Sequence, residues 1–89
     1  MAAIQLFYSM EYFIITFPNT HSAMACEEKL RSNEINIVVI PTPTSITRSC
    51  GIAIRFKSED YGSIIKIINK EDLAFKNIYK KEGKDFFRI

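Results

Sequence analysis

Few side chains in this 89-residue sequence could do chemistry: two cysteines, Cys26 and Cys50, one histidine, His21, and a loop crowded with prolines and hydroxyls. The cysteines form no CxxC pair and no Cys/His cluster, so neither a zinc site nor a dithiol redox centre is written here, and no metal or cofactor is expected. The chain is read without a secretory signal, which leads to the expectation of a reducing cytosol and two free thiols. A disulfide redox protein is the weaker reading, because it would bring Cys26 out of a helix core to meet Cys50. Cys50 ends the segment 41–50, PTPTSITRSC. A thiol at such a loop-to-strand junction is more open than one inside a strand. Gly51 removes bulk beside it, and Arg48 could favour the thiolate. His21, near a helix start, could accept a thiol proton, although an exposed helix-entry residue is the plainer reading. The loop from Thr42 to Ser49 could hold a small oxyanion such as phosphate, sulfate or selenite on hydroxyls, amides and Arg48; the plainer reading is a solvated turn. No Gly-rich phosphate motif, paired carboxylates or metal-ligand spacing points to an ordinary metabolic enzyme.

The elements that must position these residues follow from pattern. Tyr12 to Phe17, YFIITF, is a β-branched and aromatic run stopped by Pro18 and Asn19, hence a buried strand. Thr20 then caps a helix to about Ser32, whose apolar positions Ala23, Cys26, Leu30 and Met24 fall on one side, with Asn33 as a left-handed stop. On that side Cys26 packs and does not react. Ile35 to Ile40, INIVVI, is a second strand ended by Pro41, and Gly51 to Phe56 a third, with Ile52, Ile54 and Phe56 on one side and Ala53 and Arg55 on the other. Ser58 caps a second helix, with Glu59 and Asp60 at its positive end and Tyr61, Ile64, Ile65 and Ile68 as its stripe. Phe75 to Glu82 is a fourth strand. The expected domain is residues 10–82, with 1–9 an extension and 83–89 a tail that docks Phe86, Phe87 and Ile89. This order predicts an α+β, ferredoxin-like βαββαβ sandwich, a four-stranded antiparallel sheet with both helices on one face. The second strand is then an edge, and one as apolar as Ile35–Ile40 predicts pairing in a homodimer.

Composition bounds the partners. The chain is 47% apolar and 25% charged, with three Gly and three Pro, which describes one globular core. A net charge of +2 is too mild to imply nucleic acid, and Lys76, Lys80, Lys81 and Lys84 alternate with Glu82 and Asp85 as a solvated face would. No nucleic acid and no membrane are expected: residues 1–17 carry Gln5, Ser9 and Glu11 and reach Pro18 short of a span.

The stretch YFIITFPNTHSAMACEEKL, then NINIVVIPTP and SCGIAIRF, resembles the putative selenium/sulfur carrier protein-like family of small bacterial proteins. The resemblance covers about residues 12–56. It is sharpest at Thr20 to Ala23, at Glu27 with Leu30, at Pro41-Thr42-Pro43, and at Cys50-Gly51. It implies a cytoplasmic carrier in which Cys50 accepts sulfur or selenium from a donor protein and passes it to an acceptor, an accessory role without turnover of its own. Glu27 would support the proline loop by a hydrogen bond, and Pro41, Thr42, Pro43, Thr44 and Gly51 would shape it. Thr44 departs from the arginine the family commonly carries there, so the counter-charge would fall to Arg48. The alternative is a dimeric small-ligand or protein-interaction module in which Cys50 is structural; such a module tolerates Cys50→Ser and a carrier does not.

Overall fold

The computed structural model describes residues 12–43, 46, 51–83 and 85–89. Its order is β1 (Tyr12–Thr16), α1 (Thr20–Ser32), β2 (Ile37–Pro41), β3 (Ile52–Lys57), a 3-10 turn (Ser58–Asp60), α2 (Tyr61–Glu71), β4 (Asn77–Glu82) and β5 (Asp85–Arg88). The result is an α+β protein with a five-stranded sheet in the order β2-β3-β1-β4-β5, every neighbouring pair antiparallel. The expected count of four strands is corrected by β5, which pairs along β4 from Glu82↔Asp85 to Tyr79↔Arg88. The segment read as a tail is therefore an edge strand. Phe87 and Ile89 stay exposed rather than docking on the core. The reason lies at Gly83, whose φ of 61° permits the tight reversal that folds the chain end back along β4.

Both helices pack on one face of the sheet. Ile15, Phe17, Ile37, Ile54, Phe56 and Ile78 from the strand side meet Ala23, Cys26 and Leu30 of α1 and Ile64 and Ile68 of α2 in one cluster. The rings of Phe13, Phe56 and Tyr61 adjoin at centroid distances of 5.5 and 4.9 Å, and so fix where α2 starts over the sheet. Lys29 reaches Glu71 at 3.6 Å across the two helices. The opposite face is also buried at its centre, where Ile14, Thr16 and Ala53 are at most 1% exposed. Strand β1 is thus covered on both sides, which is why its sequence is continuously apolar rather than alternating. The buried Thr16 hydroxyl is satisfied across the ladder, donating to the Asn77 carbonyl at 3.3 Å and accepting its N–H at 3.2 Å.

Helix ends differ from the sequence reading in three places. The cap of α1 is Asn19, whose side-chain oxygen accepts the Ser22 N–H at 2.8 Å, and Thr20 is the first helical residue. Ser58 lies in the 3-10 turn, so α2 begins at Tyr61 and takes no side-chain cap. The left-handed residue after α1 is Glu34, at φ 62°, rather than Asn33. The Asn33 side chain instead donates to the Lys29 carbonyl at 2.8 Å. Glu34 N–H reaches the Arg31 carbonyl and Ile35 N–H the Leu30 carbonyl, at 2.9 and 3.1 Å, a Schellman closure with Ile35 laid on the core. Helix α2 closes the same way through Asp72, at φ 53°, with Leu73 N–H on the Ile68 carbonyl and its side chain against the core.

Candidate functional site

The loop between β2 and β3 is the site the sequence singles out, and its base is well defined. Pro41 pairs with Ile52 as the last step of the ladder, and the Thr42 N–H donates to the Gly51 carbonyl at 3.0 Å. Pro41 belongs to β2 rather than ending it, as an edge strand allows for a residue with no N–H to give. Within the loop the Ile46 N–H donates to the Pro43 carbonyl at 3.0 Å, a tight turn, and Ile46 is 3% exposed. The two prolines thus hold the outgoing arm extended, and the Gly51 carbonyl is tied to it on the return. Thr44, Arg48 and Cys50 lie outside the described residues. Cys50 directly precedes Gly51 in the sequence.

Packing within the described fold does not require a glycine at position 51. A β-carbon on it would meet nothing within 4 Å, and its backbone is not left-handed. Register places the loop base at the sheet end where β1 finishes, since Thr16 pairs with Ala53 and Ala53 with Ile40. Asn19 and the start of α1 follow β1 at that end, so His21, exposed in the first turn of α1, belongs to the same end of the molecule. Glu27, one to two turns further along, accepts from Arg31 Nε at 3.0 Å, an exposed i,i+4 pair on α1. Glu27 and His21 both line a broad open groove on the outer side of α1 with Met24 and Glu28. Of the residues named from the sequence, the described structure therefore brings Pro41, Thr42 and Gly51 together, with Pro43 beside them.

The other thiol is closed off. Cys26 is fully buried and free, and burial pushes its pKa from 9.0 up to about 11 because the apolar core disfavours the thiolate. Helical spacing alone had placed it there. The profile of the family described as Putative Se/S carrier protein-like matches residues 11–80. The chain belongs to this family. No curated protein and no solved structure matches it. The carrier-like match runs from the start of β1 into β4 and leaves β5 beyond its end, so it takes in α2 and most of β4 as well as the motif-bearing first half. Among the described residues no His, Cys, Asp and Glu cluster could hold a metal ion, and no helix is long and apolar enough to cross a membrane.

Proposed function

We propose that the protein carries sulfur or selenium on the thiol of Cys50. The observation that supports this reading most is the contrast between its cysteines: Cys26 is sealed in the core with a raised pKa, so thiol chemistry falls to the residue beside the clamped base of the β2–β3 loop. Membership of the carrier-like family supports the same choice. The step is a sulfur transfer without net oxidation. The Cys50 thiolate attacks the terminal sulfur of a donor persulfide; the donor's S–S bond breaks as the new one forms, the terminal proton stays on the transferred sulfur, and the donor leaves as a thiolate. An acceptor thiolate repeats the exchange and returns Cys50 to its thiolate. A selenium atom in the terminal position follows the same electron count.

In this reading Arg48 supplies positive charge near the thiolate, His21 takes up a proton at the same end of the sheet, and Thr42 and Thr44 with the loop amides receive an anionic donor group. The free space at Gly51 is what lets a bulky donor approach. The order β2-β3-β1-β4 of the first four strands supports a ferredoxin-like origin with β5 added at one edge. A cytoplasmic setting keeps the thiol reduced.

The test is the pH dependence of Cys50 alkylation in a Cys26→Ala background, followed by intact mass after exposure to a persulfide-bearing donor. Labelling with a midpoint below the ordinary thiol value of about 8.5, and a gain of one sulfur that Cys50→Ser abolishes, are expected. Labelling only after denaturation rejects the carrier. Gly51→Ala should fold as well as the parent and label more slowly.

A second reading, a self-associating module, is favoured by one feature. Strand β2 stands at the sheet edge with Val38 45% exposed, an apolar strand with one side unpaired among the described residues.

A further inference from the structure

Cross-strand partners share a face of a sheet, so register sorts the charges that look evenly mixed along the sequence. On the face away from the helices one row runs Lys57, Tyr12, Lys81, Phe86 across β3, β1, β4 and β5. The next row on that face runs Arg55, Ile14, Tyr79, Arg88. Cation and ring alternate along the first row and diagonally between the two. The strand acids, Glu82 and Asp85, pair with each other on the opposite parity, alongside Lys80 and Phe87. Among the described strand residues this face therefore holds four cations and no carboxylate.

Two of the four cations are engaged with rings, and Lys81 also donates to the Gly83 carbonyl. The Arg55 guanidinium lies over the Tyr12 ring at 4.5 Å, and the Lys81 ammonium lies 5.8 Å from the Phe86 ring centre. Lys57 and Arg88 are exposed, and Tyr12, Tyr79 and Phe86 are half-buried. Ile14 beneath them is 1% exposed, so the surface presented is made by the rings and cations around it. We propose that this sheet face is a binding platform for single-stranded nucleic acid, with bases stacking on Tyr12, Tyr79 and Phe86 and phosphates met by Lys57, Lys81, Arg55 and Arg88. Half-buried rings interleaved with cations on one sheet face suit a strand whose bases are splayed from a charged backbone, whereas an acidic peptide would use the charges and leave the rings idle. The small net charge of the whole chain is no objection, because binding depends on local clustering. The platform does not depend on Cys50, and Gly51 at the base of the β2–β3 loop belongs to the other end of the sheet.

The experiment is fluorescence anisotropy of a labelled oligouridylate titrated with the full chain at several salt concentrations. The chain has no tryptophan, so tyrosine emission reports stacking directly. Saturable binding with tyrosine quenching is expected, with log K falling against log salt at a slope of roughly −3, about −0.7 for each of four phosphate contacts. Lys57→Gln with Lys81→Gln should weaken binding about tenfold and roughly halve that slope. Lys66→Gln with Lys70→Gln, removing the same charge from exposed positions of α2, should leave both unchanged. Tyr79→Leu should reduce the quenching and the affinity without changing the slope. The proposal is overturned by absence of binding at low salt, by equal loss in the helix variant, or by equal affinity for a duplex of the same length. Competition by polyglutamate as effective as by the oligonucleotide also overturns it, in favour of an acidic protein partner. If the Lys57/Lys81 variant does not fold, quenching and salt slope of the parent chain still decide the outcome.

Discussion

At the scale of single residues the two thiols divide the chemistry between them, and the environment rather than the side chain makes the division. Cys26 is at 0% exposure in a cluster of isoleucines, leucine and phenylalanine, and its pKa of about 11 exceeds its value of 9.0 in a solvated chain. A thiol is neutral when protonated, so the folded state holds its proton to a higher pH than the unfolded state. The corresponding stability is fully present below about pH 9 and is lost as pH rises toward about 11, at a slope approaching 1.4 kcal/mol per pH unit. Urea unfolding from pH 8 to 11 should show this fall in the parent, and Cys26→Ala should flatten it while losing some stability at neutral pH. Parallel pH profiles for the two proteins would refute the burial argument. Cys26 was legible from sequence because helical spacing puts positions 23, 26 and 30 on one side. The environment of Cys50 was not, since it depends on how a ten-residue loop is laid between two paired strands.

At the scale of elements, propensity predicted four of the five strands and both helices, and the helix ends were set by hydrogen-bond closure. Asparagine is the usual non-glycine choice for a left-handed helix stop, which points to Asn33; the backbone instead runs one residue further and puts Glu34 there. What decides it is the apolar Ile35, which can reach the core only if the reversal falls one place later. Asp72 before Leu73 repeats the arrangement at α2. Both acidic residues bear the steric cost of a β-carbon in that region. Glu34→Gly should therefore raise stability by about 1 kcal/mol, seen as a melting temperature higher by roughly 4–8 °C for a domain of this size. A lower melting temperature would mean that the Glu34 side chain makes a contact worth more than its strain.

At the scale of the whole molecule the sheet has two edges and two faces with different fates. One edge, β5, is short and ends in Arg88, with Asp85 at its start, and such charges discourage pairing. The other, β2, is apolar, and Val38 gives it an exposed β-branched side chain. Self-association is therefore expected through β2. Sedimentation at tens of micromolar, roughly where weak interfaces are populated, should give a dimer that Val38→Lys dissociates. A monomer in both proteins would remove the self-associating module from consideration. The helix-side face is occupied by the core, and the other face carries Tyr12, Tyr79 and Phe86 half-buried among its cations.

By itself the sequence determined the α+β class, four of the five strands, both helices and the burial of Cys26. Each is a local property, since period, turn residues and capping chemistry are read within a few positions. Tertiary structure alone decided the fifth strand, because Phe86 to Ile89 could equally have docked on the core until β4 was seen to have an open edge. It also decided the sorting of charge. Lys80, Lys81, Glu82 and Asp85 look like a mixed solvated face in sequence, and only strand pairing sends Lys81 to one side with Lys57 and Arg88 while Lys80, Glu82 and Asp85 take the other. Alternation states that neighbouring residues face opposite ways. Which residues stand beside them depends on strands far apart in the chain, and that information exists only once the chain has folded.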